Sequence, residues 1–381
     1  MSYISSNYFK MKNIAFILSF FLFASITVQA TVWRVNNTPG IDADFNNLSA
    51  AVSSASVVND DTIHLEPSAL SYGGIYFDKR LTVIGHGYFL DTASNPNHNG
   101  GFQALSLGAK IDSIALNLGA IGSSFIGIEF LGAQPIKFQF SGSLDPANIL
   151  FESCYFASGY EPSTGISSAQ NSPDNVSFRK SFFNGKLFIA VSSNPMVLNN
   201  WSVENCIVRG GLTFDVTPSS SNNLIRNNTI RVAASIKYAH FDNNIVLGFT
   251  GSVNYSSTFD TCIVANNIFC GINPPSGIAN GPLNVNGNNL VNLLYSNVVQ
   301  YLTINSFDGK YQLVANSPAI GGGVSINGYK PDCGAFGGRD PYRMSGIPNI
   351  PAIYELEFPN GNNHDAGSAS LLVDFKSRSN N

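Results

Sequence analysis

Phe241-Asp242-Asn243-Asn244-Ile245-Val246 is the stretch that decides how this chain reads. Six columns recur around it. Upstream lie Phe151-Glu152-Ser153-Cys154-Tyr155-Phe156, Phe178-Arg179-Lys180-Ser181-Phe182-Phe183, Val203-Glu204-Asn205-Cys206-Ile207-Val208 and Ile225-Arg226-Asn227-Asn228-Thr229-Ile230. Downstream lies Val264-Ala265-Asn266-Asn267-Ile268-Phe269, and Val285-Asn286-Gly287-Asn288-Asn289-Leu290 aligns as the last copy. The starts are 27, 25, 22, 16, 23 and 21 residues apart, the outer columns are always apolar, and the fourth is only Cys, Ser or Asn. A right-handed parallel β-helix takes roughly 20 to 25 residues per coil and stacks its strands about 4.8 Å apart, so like residues sit above like residues. The apolar columns then fill the interior. Asn suits a tight bend because it accepts the left-handed backbone conformation, and stacked Asn amides can bond along the axis. Propeller and sandwich repeats are longer or lack an Asn column. The pattern predicts an all-β, single-stranded parallel β-helix.

Composition agrees. The chain has 381 residues, of which 12% are charged, half the usual share of about 25%. There are 45 Asn, 35 Gly and 28 Phe but only 7 Glu. A helical bundle needs dense Ala, Glu, Lys and Leu, and a disordered chain needs little hydrophobicity, whereas 44% here is hydrophobic. A net charge of -4 excludes a basic nucleic-acid groove.

Stacking makes finer predictions. Cys154 and Cys206 share a column with Ser181 between them, so about 9 to 10 Å separates them, beyond disulfide reach. The five cysteines form no C-x-x-C pair, which leaves free, buried thiols and no zinc site. The second column, Glu152, Arg179, Glu204, Arg226 and Asp242, alternates in sign and predicts an outward ladder of cross-strand ion pairs. Arg179 and Arg226 in this strip are candidate glycan contacts. The fifth column also faces outward, and its rings Tyr155 and Phe182 are candidates for stacking on sugars.

The ends differ. Lys10 and Lys12 precede an apolar run from Ile14 to Val28, and Val28-Gln29-Ala30 suits a signal peptidase. Residues 1–30 therefore read as a signal peptide cleaved after Ala30, starting from Met1 or Met11, and the product as secreted or held at the cell surface. No later segment is apolar enough to cross a membrane. Residues 31–59 read as an N-terminal cap, with Asp44 capping a helix that carries Phe45, Leu48, Val52 and Ala55. Residues 60–336 read as the β-helix. Residues 337–381 read as a Pro-rich link followed by a hairpin, Ile353 to Phe358 with Leu371 to Lys376, or a docking segment.

The order of the cap near Phe45, Asp61-Thr62-Ile63 and Leu81-Thr82-Val83-Ile84-Gly85-His86-Gly87 resembles the N-terminal part of the pectate-lyase-like β-helix superfamily. Asn316-Ser317-Pro318-Ala319-Ile320-Gly321 with Asp332-Cys333-Gly334-Ala335-Phe336 resembles the closing rung of its exported bacterial members. The resemblance spans residues 31 to 340. It implies the fold, and activities ranging from lyases and hydrolases to adhesins. Its lyases need a cation to stabilise a developing negative charge and a base, often Lys or Arg; Lys180 and Arg209 are the candidates, with Arg231 and Lys237 behind them. Its hydrolases carry Gly-His-Gly on a central rung beside paired carboxylates, but here Gly85-His86-Gly87 lies at the N-terminal end without them. His64, His98, His240 and His364 show no metal spacing. The expectation is a monomeric, non-catalytic exported protein that binds polysaccharide or acts at the cell surface, without cofactor or metal; the alternative is a lyase acting on an acidic polysaccharide by β-elimination.

Overall fold

The structure is a computed structural model and describes residues 30–139, 148–160, 173–190, 197–250, 253–271, 275–276, 285–325, 327–359 and 372–379. The apolar run of the predicted signal peptide lies outside them. The unit described runs from Val32 onward. It is a parallel β-solenoid. One sheet has eleven strands, a second has nine, and a third face carries sheets of three and five strands. Consecutive coils pair in parallel: Phe151 lies beside Phe178, Phe178 beside Val203, and so on through Ile225, Phe241 and Val264. No helix among the described residues is long and apolar enough to cross a membrane.

The last copy of the repeat is displaced by one residue from the alignment given above. Val264 pairs with Asn286, not with Val285. The slip brings Asn288 to the bend and Asn289 beneath Asn267, whose backbone N–H and side-chain amide both donate to Asn289 Oδ1 at 3.0 Å. Matching Asn to Asn outweighs matching an apolar first column, because an unpaired buried amide costs about 1–3 kcal/mol.

The interior is aromatic in its early coils. Phe125, Phe151 and Phe178 stack at 5.3 and 5.1 Å. Phe130, Phe156 and Phe183 stack beside them at 5.0 and 4.6 Å. These rings are fully buried, as the first and last columns require.

From Gly127 onward each coil turns on a left-handed residue at this bend, and in the later coils the two bend positions have different work. The first takes positive φ: Asn205, Asn227, Asn243, Asn266 and Asn288 all lie between 53 and 57°. The second turns inward. Asn228, Asn244, Asn267 and Asn289 each send Nδ2 to the first-column carbonyl one coil back, at 2.8–2.9 Å. Cys206 Sγ reaches Phe178 O by the same rule. All five cysteines are free and buried. A second left-handed column precedes the first sheet: Asn148, Asn175, Asn200 and Asn222, then Tyr238 and Thr261. It went unread in the sequence although it keeps the spacing of the apolar column.

The charge ladder exists as a column but pairs differently. Arg226 meets Asp242 at 3.0 Å. Glu152, however, pairs with Lys180 at 2.8 Å, and Arg179 pairs with Asp340 of the C-terminal region at 3.0 Å. The bend residue Lys180 and the tail carboxylate reach these groups more directly than the next rung does.

The ends also depart from expectation. Val32–Val35, inside the segment read as cap, is already a strand of the first sheet. The helix spans only Leu48–Ser53 and is capped by Asn47, whose side chain accepts from the Ala50 N–H. Asp44 instead accepts from the Arg34 N–H. The last coil strand is Leu290–Leu293. Among the described residues, the region after it forms no further rung. It runs back along the bend as a strap: Asn266, Asn227 and Asn205 donate to the carbonyls of Gly322, Asp332 and Gly337 in turn, and Asn243 accepts from the Val324 N–H. Ala352–Glu357 and Asp374–Arg378 form an antiparallel hairpin.

Candidate functional site

The second sheet presents one outward column for its whole length: Lys110, Glu129, Tyr155, Phe182, Ile207, Thr229, Ile245 and Ile268 are in register. From Phe182 to Ile268 this column is covered, while Leu290 on the last strand, in register with Ile268, is exposed. Tyr88, Phe89, Val298, Tyr311, Ala335 and Tyr342 form a second apolar cluster over it. A buried carboxylate locks that cover. Asp308 accepts from Asn99 Nδ2 at 2.7 Å, the Ser345 N–H at 2.7 Å, Ser306 Oγ at 2.9 Å and Tyr342 Oη at 3.0 Å.

The first three residues of the column stay open and floor a cleft of 510 Å³. Tyr155, Phe89, Phe307 and His98 line one side, and Asp91, Ser94, Asn95 and Ser106 from the loop after Leu90 supply short polar groups. Phe89 stands edge-on to Tyr155 at 5.0 Å and packs against His98 at 5.2 Å. Glu129 is the unusual member. Burial pushes its carboxyl up to about 7, against the opposing pull of Lys110 on the neighbouring strand. Gly108 makes room for it: a Cβ there would fall 1.9 Å from Glu129 Oε1. Burial also raises the Tyr155 hydroxyl and lowers the His98 imidazole.

A second grouping adjoins the cleft through Phe307. Arg209 and Arg231 follow paired strands, and Lys310 faces them from the strap. Arg209 lies 5.9 Å and Lys310 5.8 Å from the Phe307 ring, while Arg231 lies 5.8 Å and Lys310 5.3 Å from Tyr301.

The residues singled out from sequence scatter. Tyr155 is in the cleft. Phe182 is fully buried against Tyr88 and Phe89, so its ring offers no open face. Lys180 is also buried and holds Glu152 at 2.8 Å and Asp340 at 2.6 Å. Arg209 sits at the other end of the second-sheet strand, hydrogen-bonded to Asn184. Lys180 and Arg209 are therefore not brought together. Arg179 and Arg226 lie on the first sheet with carboxylate partners. His86 of Gly85-His86-Gly87 stacks on His64 at 4.9 Å, and burial lowers its pKa to about 4. Among the described residues, no three or more His, Cys, Asp or Glu gather as a metal site.

Sequence reading missed Glu129, Lys110 and Lys310. Glu129 had a signal: Phe125-Ile126-Gly127-Ile128-Glu129-Phe130 continues the six-column pattern one coil earlier and places Glu129 in the column of Tyr155. No family model matches the chain, and no curated protein matches it.

Proposed function

We propose that the protein is an exported, glycan-binding β-helix protein acting at the cell surface or beyond it, and that a segment of polysaccharide lies in the cleft over Lys110, Glu129 and Tyr155. The observation that carries this reading is the pairing of an aromatic wall with short polar side chains around one carboxyl. Sugars suit such walls, because their C–H faces pack on rings and their hydroxyls exchange hydrogen bonds with Ser, Asn and Asp. Export rests on the apolar run from Ile14 to Val28 and the small residues before Thr31; N-terminal sequencing of the secreted chain is expected to begin at Thr31. A panel of neutral and acidic polysaccharides should show binding that Tyr155→Ala removes and Gly108→Ala weakens by displacing the Glu129 carboxyl. A blank panel sinks the reading.

A lyase is the second reading, and Glu129 is what favours it. A carboxyl raised to about 7 is suited to proton transfer at neutral pH. Unsaturated-uronate absorbance that rises with the wild type and vanishes with Glu129→Gln would replace the non-catalytic reading by this one.

A further inference from the structure

We infer that Arg209, Arg231 and Lys310 hold a tetrahedral oxyanion, a sulfate or phosphate ester, at the seam between the second sheet and the strap. Val208 and Ile230 are in register, so the arginines that follow them stack one coil apart, roughly 4.8 Å along the axis. Lys310 closes the group from the strap, over the rings Tyr301 and Phe307 that Arg231 and Arg209 also contact. Like charges this close repel, and the effect is visible: burial lowers the Lys310 pKa, and Arg209 and Arg231 lower it further.

Four other arginines are neutralised: Arg34, Arg80, Arg179 and Arg226 each meet a carboxylate. Arg378, which also lies over two rings without an ion pair among the described residues, donates to the Phe102 carbonyl. None of the ion pairs among the described residues involves Arg209, Arg231 or Lys310. Arg231 Nε is buried without a hydrogen-bond partner. Arg209 spends one N–H on the neutral amide of Asn184. The aromatic rings hold the three cations in place and supply no countercharge. What is missing is an anion with an oxygen for each cation. A planar carboxylate offers two oxygens; a sulfate or phosphate ester offers three, spread in the way that two guanidinium forks and an ammonium from the facing wall can meet. The site needs nothing of the cleft beyond the shared Phe307, so it stands apart from the glycan reading.

The test uses the whole chain, with sodium sulfate or sodium phosphate against sodium chloride at matched ionic strength. Either dianion should raise the Tm of the wild type by mass action. Arg231→Gln and Lys310→Gln should each abolish that rise while leaving the anion-free Tm at or above wild type, because each removes a repelling charge. Arg226→Gln, whose partner is Asp242, should keep the rise. A full sulfate response in both Arg231→Gln and Lys310→Gln would assign the effect to general salting-out and overturn the site, as would no response in the wild type. Competition against inorganic sulfate separates the sources: displacement by a sulfated oligosaccharide names a sulfate ester, and displacement by a sugar phosphate names a phosphate. Displacement by a uronate oligomer as effective as either overturns the tetrahedral assignment. Protection by sulfate with a blank polysaccharide panel keeps this site and sinks the cleft reading; the reverse pattern does the opposite.

Discussion

Lys110, Glu129 and Tyr155 occupy the same outward column as Phe182, Ile207, Ile245 and Ile268, yet the two runs have opposite fates. The later run is sealed by the strap together with Tyr88 and Phe89 and forms a second apolar core. The earlier run lies beyond the seal and lines a cleft. The backbone position is the same, so the solenoid does not decide which residues meet solvent. The strap decides. Outward is therefore not the same as exposed, and a site on this fold is found where the cover stops.

The sharpest way to break that comparison is to cut one ring from each side of the boundary. Phe182→Ala empties a fully buried site and should cost about 4 kcal/mol, read as a lowered denaturation midpoint. Tyr155→Ala, one coil away and half-buried, should cost about half as much and should remove polysaccharide binding instead. Equal losses of stability would mean that the cleft is as much core as the covered run.

The inner ladder comes next. Asn244 Oδ1 accepts from the Asn228 N–H at 2.8 Å, and its Nδ2 reaches Ile225 O at 2.9 Å. Asn244→Leu keeps the bulk and strands these partners in the interior, so about 3 kcal/mol should be lost. Ser181, which serves the Cys154 N–H at 3.1 Å through one hydroxyl, has less to lose. Ser181→Ala should shift the midpoint by less than half as much.

The same contrast explains what the sequence could tell. From Phe151 to Asn267 every coil repeats one chemical pattern, because each stacks on its neighbour, and both core columns and the bend are readable. At the last coil the apolar first column gives way to Asn286, and only the amide ladder fixes the register. Residues 294 to 350 have no period to read. The described residues among them pack on the outside of coils far away in sequence, as when Tyr342 Oη meets Tyr88 Oη at 2.8 Å across 254 positions. Isolation of Lys180 and convergence of Lys310 on Arg209 follow from that segment, and Phe182 is buried by Tyr88 and Phe89, equally remote in sequence. Periodicity shows the solenoid; it cannot show its cover, and the cover shapes both candidate sites.

Glu129 sharpens the comparison through pH. Its folded pKa is raised from the ordinary 4.5 to about 7 by burial. Below about 4.5 the carboxyl is protonated in both states and costs nothing. Between about 4.5 and 7 the folded state keeps a proton that the unfolded state has released, so stability falls as pH rises through this window and is level above it. With a discount for the opening to the cleft, the loss is about 2 kcal/mol. Glu129→Gln should flatten the curve of stability against pH over this range. An unchanged slope in the variant would show that other groups cause it.

The smallest expected effect separates the two tasks of a bend asparagine. Asn227 has φ of 53° and donates Nδ2 to Asp332 O of the strap at 2.9 Å. Asn227→Gly keeps the left-handed bend at no steric cost and gives up the strap bond, worth about 1 kcal/mol. Asn227→Ala gives up the same bond and adds a Cβ penalty of about 1 kcal/mol for the left-handed conformation. The difference between the two variants thus measures the bend, and the difference between Gly and wild type measures the clamp. Amide hydrogen exchange can tell them apart. The Gly variant should loosen Val324 to Gly337 while the amides of the coils keep their protection, whereas the Ala variant should also raise exchange at Thr229 and Ile230. If Gly disturbs the coils as much as Ala does, the strap is part of the solenoid's own stability and not a cover laid over it.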